Sequence, residues 1–212
     1  MNGRYKYPRT PHLKWSPGRS ADDLELASTE AFEGREVVVT VKLDGENTTL
    51  YRDYMHARSL DSSSHESQAW VRALQATVGH LIPEGWRVAG ENLYARHSIH
   101  YRNLDSYFYL YSIWDEKNRA LSWDETEEWA ALLGLHTVPV LYRGPWDEDL
   151  IRNLAADIHD GDPCEGYVVR TAAGFDYSEF RSHVAKFVRA GHVTTDQHWK
   201  SQAVTPNLLR KV

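Results

Sequence analysis

A second cysteine, a long apolar run and an apolar leader are all missing from this 212-residue chain. Cys164 alone cannot close an intrachain disulfide, which excludes a disulfide-stapled secreted scaffold and fits a reducing cytoplasm. It abuts Glu165 and reads as a small packing residue. No apolar stretch approaches the roughly 20 residues that span a bilayer, so no membrane partner is expected. The opening stretch through Trp15 has no apolar signal region, so no export is expected. Internal repeats and low-complexity tracts are also absent. What remains is ordinary for a globular protein, with 42% hydrophobic and 25% charged residues. The length suits one large domain or two small ones, ample for a real core.

The net charge of −6 argues superficially against a nucleic-acid partner. Its distribution argues otherwise. Residues 1–20 carry Arg4, Lys6, Arg9, Lys14 and Arg19 with no acid. Residues 181–212 carry Arg181, Lys186, Arg189, Lys200, Arg210 and Lys211 against Asp196 alone. Two basic termini framing an acidic body would form a phosphate-binding stripe if they met in space. Solvated basic tails are the plainer alternative. Trp15, His192, His198 and Trp199 lie among these charges, where rings can stack on bases or pin the tails to the body.

Periodicity gives the coarse layout. Residues 1–34 form an irregular, Pro- and Gly-punctuated lead-in with a short helical piece near Ala21 to Ala27. Glu36 to Leu43 and Thr48 to Tyr51 predict a hairpin around Asp44-Gly45, with Gly45 free to take positive φ. His65 to His80 has helical spacing, with Trp70, Leu74 and Val78 on one face. Trp86 to Asn92 and Tyr107 to Ile113 predict strands. Alternation puts Tyr107, Tyr109 and Tyr111 on one face of the second. Ser122-Trp123-Asp124-Glu125 is a capping box opening a helix to Gly134. Asp147 to Ile158 predicts another helix, and Tyr167 to Thr171 and His183 to Val188 return to strand. Strands with scattered helices predict an α+β fold with mostly antiparallel sheets.

Lys42 is the most informative residue. It ends an apolar strand and precedes a tight Asp-Gly turn. Lysine is almost never fully buried without a partner, and a partly buried amine that loses its charge is a nucleophile. Alone, the motif is equally an ordinary turn whose lysine snorkels to water. Three further coincidences point to one site. Glu91 ends a strand-like run, Glu165 precedes one, and Lys186 lies within one.

In this order, Lys42-Leu43-Asp44-Gly45-Glu46-Asn47, His56-Ala57-Arg58-Ser59, Gly90-Glu91-Asn92, Glu165 to Arg170 and Ala185 to Arg189 resemble the motifs of covalent nucleotidyltransferases. The resemblance is to the ATP-dependent RNA ligases of the RNA ligase 2 type, and it runs from about Tyr7 to Asn207. It implies the ligase adenylylation domain, ATP-grasp-like, over residues 1–212, with 187–212 a short C-terminal extension. Only 26 residues follow Lys186, so no OB-fold domain is expected.

The resemblance also implies chemistry. Lys42 takes AMP from ATP as a lysyl-AMP, AMP passes to an RNA 5′-phosphate, and an RNA 3′-hydroxyl displaces it. Asp44 and Gly45 complete the lysine motif. Asn47 and Arg58 serve phosphate or the RNA end. Glu91 faces the ribose, and Tyr111, with Tyr109 as substitute, stacks on adenine. Glu165 organises Mg²⁺ or Mn²⁺ with Glu91 beside it, and Lys186 meets the α-phosphate with Arg189 in support. Where relatives often place Glu before the nucleophile, this chain has Val41, so Thr40 or a backbone group is expected to read the base. Their K-x-K motif is reduced here to Lys186. Lowering the amine's pKa, by burial and by Lys186 with a metal, requires about 4 kcal/mol of differential stabilisation. RNA ends, ATP and repair proteins are the implied partners, in the cytoplasm. Alternatives are an adenylyltransferase that seals poorly, a DNA-joining relative, a capping-type guanylyltransferase and a non-catalytic RNA-end binder.

His97 and His100 invite a zinc reading, but zinc needs further ligands at suitable spacing. They read instead as a polar wall beside the RNA, or as plain hydrogen-bonding groups. Ser59, Ser62, Ser63 and Ser64 lack a nucleophile-elbow context and read as loop.

Overall fold

Period-two alternation decides where each strand's side chains go, and in the computed structural model it sorts them into two sheets. The structure describes residues 3–60, 65–158, 163–191 and 203–211. In chain order the elements are β1 (Glu36–Lys42), β2 (Glu46–Leu50), β3 (Met55–Ala57), α1 (Ala69–Val78), β4 (Arg87–Asn92), β5 (Phe108–Trp114), β6 (Arg119–Ala120), α2 (Trp123–Leu133), β7 (His136–Thr137), β8 (Val140–Pro145), α3 (Glu148–Ala156), β9 (Gly166–Thr171), β10 (Phe175–Asp176) and β11 (Val184–Val188). One sheet has the order β11-β9-β1-β8, antiparallel throughout. The other runs β10-β6-β5-β4-β2-β3, with β7 parallel to β5. The fold is α+β with mostly antiparallel sheets, and no OB-fold occurs among the described residues.

Each sheet buries one face outward against helices. Val37, Val39, Tyr167, Val169 and Phe187 of the first sheet pack with Leu13, Phe32 and Ile151 of α3. Leu50, Val88, Phe108 and Leu110 of the second pack with Val71 and Val78 of α1 and Leu133 of α2. A third cluster, including Val38, Leu43, Leu93, Tyr109 and Trp123, joins the inner faces. Each fully buried Val, Leu or Phe contributes about 1.5–3 kcal/mol from transfer out of water. The remaining inner space between the sheets is the cleft described below.

Three expectations are corrected. Asp44-Gly45 is not a hairpin turn. β1 pairs with β8 and β9, whereas β2 pairs with β3 and β4, so this link carries the chain from one sheet into the other. Gly45 is not at positive φ. It is needed for close approach, because a Cβ there would lie 2.5 Å from the Asn92 carbonyl oxygen. The third correction concerns Ala21 to Ala27, which form no helix. The Ser20 amide and hydroxyl both donate to Asp23, a local turn that competes with helix. The chain then runs extended beside His12, whose amide donates to Leu24 O at 2.7 Å.

Pro11 to Leu13 lie along β11 in turn. The Lys186 amide donates to Pro11 O at 2.9 Å and the Leu13 amide to Lys186 O at 2.8 Å. The lead-in thus covers the edge of the first sheet where Lys186 sits. At the other terminus Pro206 pairs with Ala95, and Asn207 is fully buried. Strand β8 had no clear sequence signal because Pro139, Gly144 and Pro145 punctuate it. Those residues suit an edge strand, which it is. No described helix is long and apolar enough to cross a membrane. Ser62, Ser63, Ser64, His192, Asp196, His198, Trp199 and Lys200 lie outside the described residues.

The predicted capping box is present. The Glu125 amide donates to Ser122 Oγ at 3.3 Å, and the Ser122 amide donates to Glu125 Oε2 at 2.9 Å. Ser122→Ala should cost about 1 kcal/mol. Urea unfolding should show a lower midpoint at unchanged slope.

Candidate functional site

The strand register brings the two lysines onto one face. Val168 lies between Thr40 of β1 and Lys186 of β11, and Gly166 lies beside Lys42. Thr40, Lys42 and Lys186 therefore point the same way, towards the second sheet. From that sheet come Asn47 of β2, Glu91 of β4 and Tyr111 of β5. These side chains, with Val41 and Arg58, line a cleft of about 1020 Å³. Glu165, just before β9, enters through Lys42, whose ammonium donates to Glu165 Oε2. The Glu165 amide also donates to Lys42 O at 2.9 Å, which fixes the carboxylate beside the amine.

A β-bulge aims Tyr111. Leu110 pairs with Gly90 and Ser112 with Ala89, which leaves Tyr111 as the extra residue of β5. The alternation expected from Tyr107 therefore stops here, and Tyr111 and Ser112 both reach the cleft. Asn47 Nδ2 donates to the Tyr111 hydroxyl, while Asn47 Oδ1 is buried without a hydrogen-bond partner. Tyr109, the substitute candidate, is turned away. Its hydroxyl accepts the Asp105 amide at 3.0 Å, and its ring packs in the core between the sheets.

Asp44 does not line the cleft. It is buried behind the wall, with Oδ2 accepting the Ile99 amide at 2.7 Å and Oδ1 lying 3.8 Å from His97 Nδ1. Its own amide donates to the Tyr101 hydroxyl at 2.8 Å. Gly45 donates its amide to Glu91 Oε1 at 3.1 Å, tying the turn after Lys42 to the opposite sheet.

The charges correct one expectation. Burial pushes the Lys42 pKa down, but Glu165, Glu91 and Asp44 together outweigh burial, and the net direction is upward. The lysine held low is Lys186, to about 8, by burial and then by the Lys42 charge, against Asp23 and Glu165. Burial, with Glu165 and Asp44 nearby, raises Glu91 to about 8 despite Lys42. Burial and Glu165 raise Asp44 to about 6, against the Ile99 amide and Lys42. The site thus pairs a charged candidate nucleophile with carboxylates that resist full ionisation.

Sequence reasoning missed several wall residues. Arg170 is buried, lines the cleft and donates to Leu121 O at 2.7 Å. Alternation from Gly166 and Val168 would have placed it on the cleft face. Tyr7 crosses from the lead-in to meet Tyr111 edge-on, at 5.2 Å between centroids, and Asp23 also lines the cleft, beside Lys6 and Arg9 of the basic N-terminal stretch. Nothing local in an irregular lead-in signals such contacts. His97 joins the wall, but no cluster of three or more His, Cys, Asp or Glu suited to a metal occurs among the described residues.

A raised carboxylate stabilises the fold only while it keeps its proton. For Glu91 that contribution is full below its ordinary 4.5 and is lost as pH rises through about 8. Asp44 adds to the loss between 3.8 and about 6. Below 6.5 the buried His12, lowered to about 4, contributes stability as pH rises and opposes this loss, so the urea midpoint of the ligand-free protein should fall between about pH 6.5 and about pH 8. Glu91→Gln should flatten that fall, and identical pH dependence in both proteins would contradict the assignment.

Residues 35–188 match the family model described as RNA ligase. No curated protein sequence matches the chain. Among solved structures it is similar to a Naegleria gruberi RNA ligase mutant with ATP and Mn, at 19% identity and a TM-score of 0.54, covering 77% of this chain and 52% of that one. A mutant of the same ligase with AMP and Mn gives 19% and 0.54, with the same coverage. The ligase with PPi gives 20% and 0.56, covering 88% of this chain and 62% of that one. The chain therefore spans about half to three-fifths of the length of these structures. At such identities the likeness establishes the fold, while the family match spans most of the chain. The chain belongs to the RNA ligase family.

Proposed function

We propose that this chain is an ATP-dependent RNA ligase that works through a covalent lysyl-AMP on Lys42. The observation that carries the reading is the amine of Lys42 held on Glu165 within the cleft that Glu91, Tyr111 and Lys186 share. A nucleophilic amine, a second cation and flanking carboxylates are what transfer of a nucleotidyl group from a polyphosphate requires.

In the proposed reaction the neutral Lys42 amine attacks the α-phosphorus of ATP and releases one proton as the P–N bond forms. The bond from that phosphorus to the bridging oxygen breaks, and pyrophosphate leaves. An oxygen of an RNA 5′-phosphate then attacks the same phosphorus, and the P–N bond breaks as the nitrogen takes up a proton to return the amine. Finally the RNA 3′-hydroxyl attacks the 5′-phosphorus, loses its proton and displaces AMP. Lys186 offers its charge to the α-phosphate. Tyr111 offers its ring to adenine, with Asn47 holding the phenol. Thr40 and Val41 sit where the base would be read, and Arg58 at the rim faces the RNA end.

Glu165 on the Lys42 ammonium and Glu91 nearby supply oxygen donors, and Glu91 holds a proton through burial first and then through Glu165 and Asp44. A divalent cation fits such a set when phosphate oxygens complete its shell. Mg²⁺ or Mn²⁺ would be held by Glu165 and Glu91, directly or through water, and would neutralise phosphate charge. Glu165 engaged in that way would no longer hold the Lys42 proton. The ATP, AMP and Mn named for the similar Naegleria ligase structures support this ligand set. The same reading treats the lead-in and the C-terminal segment as parts of one nucleotidyltransferase unit, acting on broken RNA ends with or without repair proteins.

Incubation with α-labelled ATP and Mg²⁺ should label the protein, and Lys42→Ala should reduce the label to background. A labelled Lys42→Ala protein would overturn the reading. Glu165→Gln should lower labelling by about 10–100-fold, and chelation should stop it until Mg²⁺ or Mn²⁺ is returned. With 5′-phosphorylated RNA, ligated product should follow. Adenylylated RNA that accumulates unsealed would reassign the chain as an activating adenylyltransferase.

A further inference from the structure

The segment Ala95-Arg96-His97-Ser98-Ile99-His100-Tyr101-Arg102 has no role in the chemistry above, yet it starts at the wall of the cleft. His97 lines that cleft, and Ile99 holds Asp44. The C-terminal segment is laid along it. The Arg96 amide donates to Thr205 O at 2.8 Å, the Leu104 amide to Leu208 O at 3.0 Å, and the Arg210 amide to Leu104 O at 2.7 Å. Asn207 locks the two together. Its Oδ1 accepts the Tyr101 amide at 2.9 Å, and its Nδ2 donates to Leu93 O at 2.7 Å. The pair of segments is thus a fixed ledge, built from backbone pairing around one fully buried asparagine.

Arg96, Arg102, Arg210 and Lys211 are exposed on these segments. Among the described residues Arg210 has an acidic partner, Asp105, and Arg96, Arg102 and Lys211 have none. This chain carries 30 acidic groups against 24 Lys and Arg. Elsewhere some exposed cations are paired, Arg143 with Glu36 and Asp124 and Arg152 with Glu148, while others, Lys14 and Lys117 among them, have no carboxylate partner among the described residues. The ledge differs in gathering its cations on one support fixed by backbone pairing beside the cleft. Cations left without carboxylates in an acid-rich protein, on a rigid support that begins at the cleft, are matched to an external polyanion.

We propose that the ledge formed by residues 95–104 and 203–211 binds the sugar–phosphate backbone of an RNA strand leading into the cleft. The choice of RNA rests on the ligase reading. Guanidinium groups hold phosphates bidentately without reading sequence, so the ledge sets the path of the strand rather than its identity. Leu208 and Leu209, exposed on the same C-terminal segment, offer apolar contact to riboses.

The test is the affinity for a 5′-phosphorylated single-stranded RNA, measured by fluorescence anisotropy over a salt series. Each phosphate contact on a single strand contributes about 0.7 to the slope of log affinity against log salt. The double variant Arg96→Gln, Arg102→Gln should lose about 1.4 of that slope, and Lys211→Gln alone about 0.7. Labelling by ATP in the absence of RNA should be unchanged in both variants. An unchanged slope in both, or an unmodified protein that fails to bind the RNA, overturns the ledge. Absence of ATP labelling together with the expected slope losses would sink the ligase reading and leave the ledge standing. Lys211 lies at the exposed end of the chain, so its variant still decides the matter if the double variant misfolds.

Discussion

An ammonium set among three carboxylates is the interaction on which this molecule turns. Lys42 comes from one sheet, Glu91 from the other, and Asp44 from the link between them, while Glu165 precedes the strand beside Lys42. Buried charges are costly to leave alone, and removing one partner of such a set strands the others. The group therefore assembles only when the sheets are docked, and docking in turn needs the charges to compensate one another. Lys186 adds its charge from the same sheet face as Lys42, with the lead-in laid along its backbone and Asp23 near its charge. A fold of two half-buried sheets becomes a chemical site because neither sheet holds a balanced set by itself.

Much of this was legible in the sequence. The strands ending at Lys42 and Asn92 and those around Tyr167 and Lys186 stood out as short apolar runs, and the capping box at Ser122 fixed the start of α2. Four charged residues at or beside apolar strands pointed to one place, and the structure brings them together. What escaped was information that no local window contains. An Asp-Gly pair after an apolar strand looks the same whether the next strand returns to its own sheet or enters another. The sign of the Lys42 shift depends on how close three carboxylates lie, and spacing along the chain does not give that distance. The Tyr111 bulge breaks a period-two pattern with no glycine or proline in β5 itself to mark it; Gly90 sits opposite, on β4. Tyr7 and Asn207 act over separations of about a hundred residues.

The two terminal segments show why irregular sequence is not idle sequence. Both are poor in regular elements, and both pair their backbones to parts of the core that carry site residues. The first covers the strand bearing Lys186 and puts Tyr7 against Tyr111. The second braces the loop that grips Asp44. Membership of the RNA ligase family follows from the stretch between them, while these flanks give the cleft much of its wall and rim.

The three residues from Leu43 to Gly45 connect the sheets, and the candidate nucleophile stands at one end of that connection. Gly45 is bonded to Glu91 and packed against the Asn92 carbonyl at the other. Cleft width and amine position are therefore one mechanical coordinate. Any breathing of the sheets would carry the Lys42 nitrogen with it, so an occupant that draws the walls inward also moves the amine.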